Sequence, residues 1–226
     1  MHIEVSGIEI ELIRKSIKHM HLYVLRPDGR VRITAPLTLS EERIVEFIRS
    51  RTDWISTQQR KILSEPQAAP ITYSSGDTLM IFGSPYVLDV KEGRKNDFSY
   101  LLGRATLICK ASSTQETRAK IVEKTLRSSL YDKIIPILEK WQTITGLEAS
   151  SFQIKKMKTR WGTCNTRTKK IWLNLELVKK SNECIEYVVL HELAHTKIPN
   201  HGKSFYAFMD SYMPRWKEIR KQLNEK

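Results

Sequence analysis

Apolar and polar residues alternate along the first third of the chain. Ile8, Ile10 and Leu12 alternate with Glu9 and Glu11, a period of two that predicts a half-buried strand over residues 8–13. Residues 21–25 and 31–35 flank Arg26-Pro27-Asp28-Gly29-Arg30, whose turn chemistry predicts a hairpin. The period then changes. Ser40-Glu41-Glu42 followed by Ile44, Phe47, Ile48, Trp54 and Ile55 predicts one amphipathic helix over residues 40–63, ended by a linker at 64–70. Short strands are expected at residues 78–82, 86–90 and 100–109.

Beyond residue 113 the helical period dominates. Ile121, Leu126, Leu130, Ile134, Ile137, Leu138 and Trp141 predict a long packing helix over 114–145, kinked at Pro136. Residues 152–154 and 170–174 read as strands around a loop at 161–165. A helix over 184–196 is apolar on most sides, and a final helix over 202–223 should bend at Pro214. No internal repeat is evident. The pattern is that of an α+β protein, with a β-rich part over residues 1–112 and a helix-rich part over 113–226.

At 226 residues with 40% hydrophobic content, the chain can bury a sizeable core. Its formal charge of +13 is uneven: residues 1–112 carry 16 basic against 13 acidic side chains, residues 113–226 carry 22 against 12. The carboxy-terminal half would therefore suit a nucleic acid or a nucleotide as partner, and Trp161 and Trp172 among its basic clusters could stack bases. Cys109, Cys164 and Cys184 are odd in number and lack C-x-x-C spacing, which predicts neither a disulfide framework nor a thiolate metal cluster. No basic segment followed by an apolar run opens the chain, and no run approaches 18 apolar residues, so a soluble cytoplasmic protein with no membrane partner is expected. Nothing in the sequence sets an oligomeric state.

The chemistry concentrates in the apolar helix. His191, Glu192 and His195 spell H-E-x-x-H, and positions i and i+4 of a helix lie about 40° apart, so both imidazoles can reach one ion. A buried pair of histidines is costly unless something satisfies it. Zn²⁺ takes neutral imidazole nitrogens, keeps a position open for water in catalytic sites, and lowers that water's pKa. Glu192 is then the candidate general base of a peptide hydrolysis.

A third metal ligand is needed. His201, separated from His195 by five residues, has the spacing of the long metalloprotease signature, although Ile198 stands where that signature has glycine. Pro199-Asn200 would turn the chain back toward the ion. Asp210 and Glu218 are the other candidates. Trp161, Ile171, Trp172, Leu173 and Asn174 are the candidate substrate contacts, with 171–174 as a strand to which an extended peptide could add. Tyr206 or Tyr212 could stabilise an oxyanion, and Cys164 lacks an identifiable histidine partner for a nucleophile. The alternative is a metal-dependent nucleotide pyrophosphohydrolase in which Lys155, Lys158 and Arg160 hold phosphates, against which the three-histidine set speaks.

Arg160-Trp161-Gly162-Thr163-Cys164, Trp172-Leu173-Asn174, H-E-L-A-H from His191 to His195, Pro199-Asn200-His201-Gly202, Phe205 and Tyr212-Met213-Pro214-Arg215-Trp216 together resemble the YgjP-like metallopeptidases. Weaker likeness extends to Arg26-Pro27-Asp28-Gly29, Ile33-Thr34-Ala35-Pro36 and residues 79–90. The resemblance implies a zincin-like α+β fold, a zinc ion on His191, His195 and His201, and Glu192 as catalytic base. Thr163 departs from an expected serine but keeps the hydroxyl. The family is related to SprT-like proteases, which cleave proteins attached to DNA, and UTP pyrophosphohydrolysis has also been ascribed within it. The resemblance thus leaves peptide and nucleotide substrates both open.

Overall fold

The computed structural model describes residues 1–64 and 71–225. They form two compact units, Met1–Pro70 and Ile71–Lys226. The first contains strands β1 (His2–Val5), β2 (Ile8–Lys15), β3 (His21–Val24) and β4 (Val31–Pro36) in the order β1-β2-β4-β3, with β2 and β4 parallel. The alternation in β2 and β4 buries Ile10, Leu12, Val31, Ile33 and Ala35 beside Ile44 and Ile48 of α1 (Glu41–Arg49) and Ile55 of α2 (Thr52–Ser64). The single helix expected over 40–63 is therefore two. The Ser50 hydroxyl donates to the Phe47 carbonyl at 2.7 Å and Thr52 to that of Arg49 at 3.0 Å, side-chain bonds that compete with a continuous helix at this point. Apart from Ser64, the expected linker lies outside the described residues.

The second unit begins with a sheet of the same strand order. β5 (Thr78–Ile81), β6 (Ser84–Glu92), β7 (Asp97–Leu101) and β8 (Arg104–Cys109) run β5-β6-β8-β7, again with the second and fourth strands parallel. These strands, grouped with the amino-terminal part on charge and pattern, share a compact unit with the helices that follow. The repeat lies in pairing rather than residues. The strand expected over 100–109 is a hairpin, reversed at Leu102 and Gly103 with φ of 47° and 77°.

Helix α3 (Gln115–Thr145) starts where the Thr114 hydroxyl accepts from the Thr117 amide at 3.3 Å, and it runs unbroken through Pro136. Its Leu130, Ile134, Leu138 and Trp141 enter the largest core. β9 (Ser151–Lys155), β10 (Gly162–Asn165) and β11 (Lys170–Asn174) form a three-stranded sheet with β11 in the middle. A 3-10 turn at Leu175–Lys179 leads into α4 (Asn182–Ala194), capped by the Ser181 hydroxyl on the Cys184 amide at 3.4 Å. The turn between β5 and β6 rests on this start: the Phe82 amide donates to the Val178 carbonyl at 2.6 Å, and a Cβ at Gly83 would stand 3.0 Å from Ser181 Cα.

Helix α4 is the centre of the unit. Ile185, Val188, Val189, Leu190 and Leu193 are each at most 2% exposed, and each contributes on the order of 1.5 to 3 kcal/mol by its burial. The final helix is also two, α5 (Lys203–Tyr212) and α6 (Trp216–Asn224), interrupted around Pro214. No described helix is long and apolar enough to cross a membrane.

Candidate active site

His191 projects from the last turn of α4 and His195 caps its end, while the chain reverses through bonds from the Thr196, Lys197 and Ile198 amides to the Leu193 and Ala194 carbonyls. That reversal returns His201. Its Nε2 lies 3.0 Å from His191 Nε2 and 3.1 Å from His195 Nε2. Tetrahedral ligands about 2.0 to 2.1 Å from a zinc ion would stand about 3.3 Å apart; these two separations are close to that, and the ligand atoms of all three rings lie within 4.8 Å of one another.

The outward nitrogens are held as well. His195 Nδ1 donates to the Ile198 carbonyl at 2.9 Å, which leaves the lone pair on Nε2, and His191 Nδ1 lies 3.4 Å from the Tyr187 hydroxyl. Phe205, 1% exposed, packs its ring 4.9 Å from His191 and His195 and 4.7 Å from His201, fixing the planes of all three. Burial, reinforced by the neighbouring imidazoles and the Arg220 charge, pushes His191 down to about 3, and burial also lowers His201. Neutral rings are the ligating form.

Glu192 is 5% exposed, and burial raises its carboxyl to about 8 against the opposing Arg160 charge. β10 passes directly over it. A Cβ on Gly162 would fall 2.6 Å from Glu192 Cγ and 2.7 Å from its Oε1, so only glycine lets strand and carboxylate approach this closely.

These groups line a cavity of about 650 Å³. Trp161 is on its wall, with Nε1 donating to Asn224 Oδ1 at 3.2 Å and Lys180 Nζ 5.4 Å from the ring centroid. Tyr187, Tyr206, Arg160 and Arg220 also line it. Sequence reasoning gave Gly162, Tyr187 and Arg220 no role at the site, and gave Phe205 none beyond its place in the family resemblance. Only the cavity, built from distant segments, reveals the first three, whereas the five-residue spacing that selected His201 offered no cue to the ring beneath it.

The expectation for residues 171–174 is corrected. β11 is paired on both edges, antiparallel to β10 and parallel to β9, so no backbone groups remain for an added strand. Ile171, Leu173 and Asn174 are buried, and neither they nor Trp172 reach the cavity. Asn174 instead ties down the segment before β10: its Nδ2 donates to the Met157 and Arg160 carbonyls at 2.9 and 2.8 Å, and its Oδ1 accepts from the Met157 amide at 3.2 Å. Trp172 lies between Lys155 and Lys170, whose Nζ atoms stand 5.1 and 5.6 Å from its ring centroid. The edges of this sheet are β9 and β10, and it is β10, which sequence read as loop, whose residues line the cavity.

The remaining candidates separate cleanly. Asp210 accepts from Trp216 Nε1 at 2.7 Å and Glu218 pairs with Arg215 at 3.1 Å, so neither is committed to the imidazoles. Tyr212 packs on Trp141 and Phe208, whereas Tyr206 stacks on Trp216 at the cavity wall. Cys164 lines the cavity, yet burial and the Glu192 charge push its thiol up to about 11, which disfavours a nucleophilic thiolate.

No curated protein matches the chain. Among solved structures, it is similar to the metallopeptidase zymogen abylysin of Pyrococcus abyssi, with 25% identity and a TM-score of 0.38 over 40% of this chain and 90% of the other. It is also similar to the metallopeptidase zymogen jannalysin of Methanocaldococcus jannaschii, with 30% identity and a TM-score of 0.34 over 42% and 86%. The family model described as YgjP-like, metallopeptidase domain, matches residues 18–226, which takes in nearly the whole chain and every residue of the site. The chain belongs to the YgjP-like metallopeptidase family.

Proposed function

We propose that the protein is a zinc-dependent endo- or exopeptidase in which His191, His195 and His201 hold the metal and Glu192 is the general base. The observation that carries this reading is the convergence of three Nε2 atoms, at 3.0 and 3.1 Å, beside a buried carboxyl. Three imidazoles suit zinc better than a magnesium-bridged triphosphate, which prefers oxygen ligands, so peptide hydrolysis is favoured over UTP pyrophosphohydrolysis. When bound, zinc would supply Lewis acidity toward the scissile carbonyl and a water.

The chain's own groups would do the rest. A dication beside Glu192 favours its charged form, offsetting the burial that raises its pKa. The Glu192 carboxylate would accept a proton from the attacking water and deliver it to the leaving amine. The exposed edge of β10 would bind the substrate backbone in extended form, and the Tyr206 hydroxyl is the remaining tyrosine candidate for the oxyanion. Three free cysteines suit a reducing, cytoplasmic compartment.

The test is cleavage of an unstructured protein by the zinc-loaded enzyme, with Glu192→Gln and chelator controls. Cleavage that vanishes in both, while Glu192→Gln still binds one equivalent of zinc, supports the assignment. Full activity in Glu192→Gln would remove Glu192 from it.

A further inference from the structure

Two arginines face the cavity, and among the described residues neither is held in an ion pair with a carboxylate. Among the described residues, Arg160 and Arg220 are the only charged side chains on its walls besides Glu192, and neither forms an ion pair with it. Other arginines of the chain do find carboxylates, Arg32 with Glu11, Arg127 with Glu123 and Arg215 with Glu218. The two in the cavity are mounted on fixed backbone. The Arg160 carbonyl accepts from buried Asn174 at 2.8 Å. Arg220 follows Ile219 on α6, and its carbonyl accepts from Asn224 Nδ2 at 2.8 Å.

A guanidinium presents a planar fork of donors that matches a carboxylate. The excess of basic residues over 113–226, 22 against 12, adds a field that draws anions toward this half of the chain. We infer that Arg160 and Arg220 bind a carboxylate of the peptide substrate, from an acidic side chain beside the scissile bond or from a free carboxy terminus, and so define the substrate class. This assignment rests on the peptidase reading above and goes beyond it.

The experiment measures binding to zinc-loaded Glu192→Gln protein, where no turnover interferes. One peptide is compared in four forms, with glutamate or glutamine in its centre and with a free or amidated carboxy terminus, beside UTP. At least one carboxylate should tighten binding about tenfold to a hundredfold, and the responsive position identifies its source. Adding Arg160→Gln or Arg220→Gln should reduce that increment, both together should abolish it, and Arg220→Lys should recover part.

Equal or undetectable binding of all four forms would overturn the inference. So would a preference that survives both substitutions, or arginine substitutions that weaken only UTP. Cleavage by wild type without any charge preference would sink this inference alone, whereas charge-selective binding without cleavage of any peptide would sink the peptidase reading.

Discussion

Along α4, His191, Glu192 and His195 are neighbours in sequence and in space, and the helix that carries them is packed on nearly every side. Across the cavity, Gly162 on β10 comes within van der Waals reach of the same Glu192 from a different part of the chain, on an edge strand of four residues. In the proposed mechanism the helix wall would carry the reactive atoms and the strand wall would fix where a substrate can lie against them. Rigidity on the first side comes from burial. On the second it comes from a few directed contacts, chiefly the side-chain bonds of Asn174.

This contrast predicts graded effects. Substituting His201 by alanine should cause the largest loss, reducing hydrolysis to background with stoichiometric zinc no longer retained on dialysis, because two imidazoles do not complete the site. Next, Glu192→Gln should keep zinc while lowering kcat about 10²- to 10⁴-fold, measured as turnover of a fluorogenic peptide. The strand wall should respond through position rather than metal. Gly162→Ala should also keep zinc and lower kcat by about a hundredfold, because its Cβ would displace the carboxylate it overlies. A Gly162→Ala enzyme with wild-type kcat would break the pairing of the two walls.

Smaller effects fall on stability. Asn174→Ala leaves the Met157 and Arg160 carbonyls without their donor and should cost about 2 to 4 kcal/mol in urea unfolding, with a raised KM as the segment before β10 loosens. The pH dependence of the metal-free protein offers a finer probe. Because the Glu192 carboxyl is raised in the folded state to about 8, its contribution is fully present below about 4.5, its ordinary value, and is lost as pH rises toward 8. His191, lowered to about 3, works the other way between 3 and its ordinary 6.5. Comparing chelated wild type with Glu192→Gln isolates the first effect: the decline in stability from pH 5 to 8 should flatten in the variant.

The helix wall was legible because a helix converts spacing into direction, so H-E-x-x-H and the five residues to His201 carried the geometry in the order of the letters. The β-rich start and the long helix were legible for the same reason of period. The strand wall was not. Gly162-Thr163-Cys164-Asn165 has no apolar alternation, and it becomes a strand only by pairing with 170–174, a long-range event that leaves no local trace. Residues 171–174 look like an available strand because their apolar run is conspicuous, yet that run reflects a central position with both edges taken. The break at Ser50–Arg51 shows the same limit, since apolar periodicity continues across it while the backbone turns, whereas Pro214, where the sequence predicts a bend, marks a full interruption between two helices. Arg220 has no motif around it and acquires meaning only from the cavity it lines.

The most direct test of the central claim is X-ray absorption spectroscopy of the protein loaded with one equivalent of zinc. Three imidazole nitrogens at about 2.0 to 2.1 Å with one further light-atom ligand and no sulfur is the predicted spectrum. It should lose one imidazole in His201→Ala reloaded with excess zinc. A first shell with two or fewer imidazoles, or one containing the Cys164 sulfur, would contradict the account.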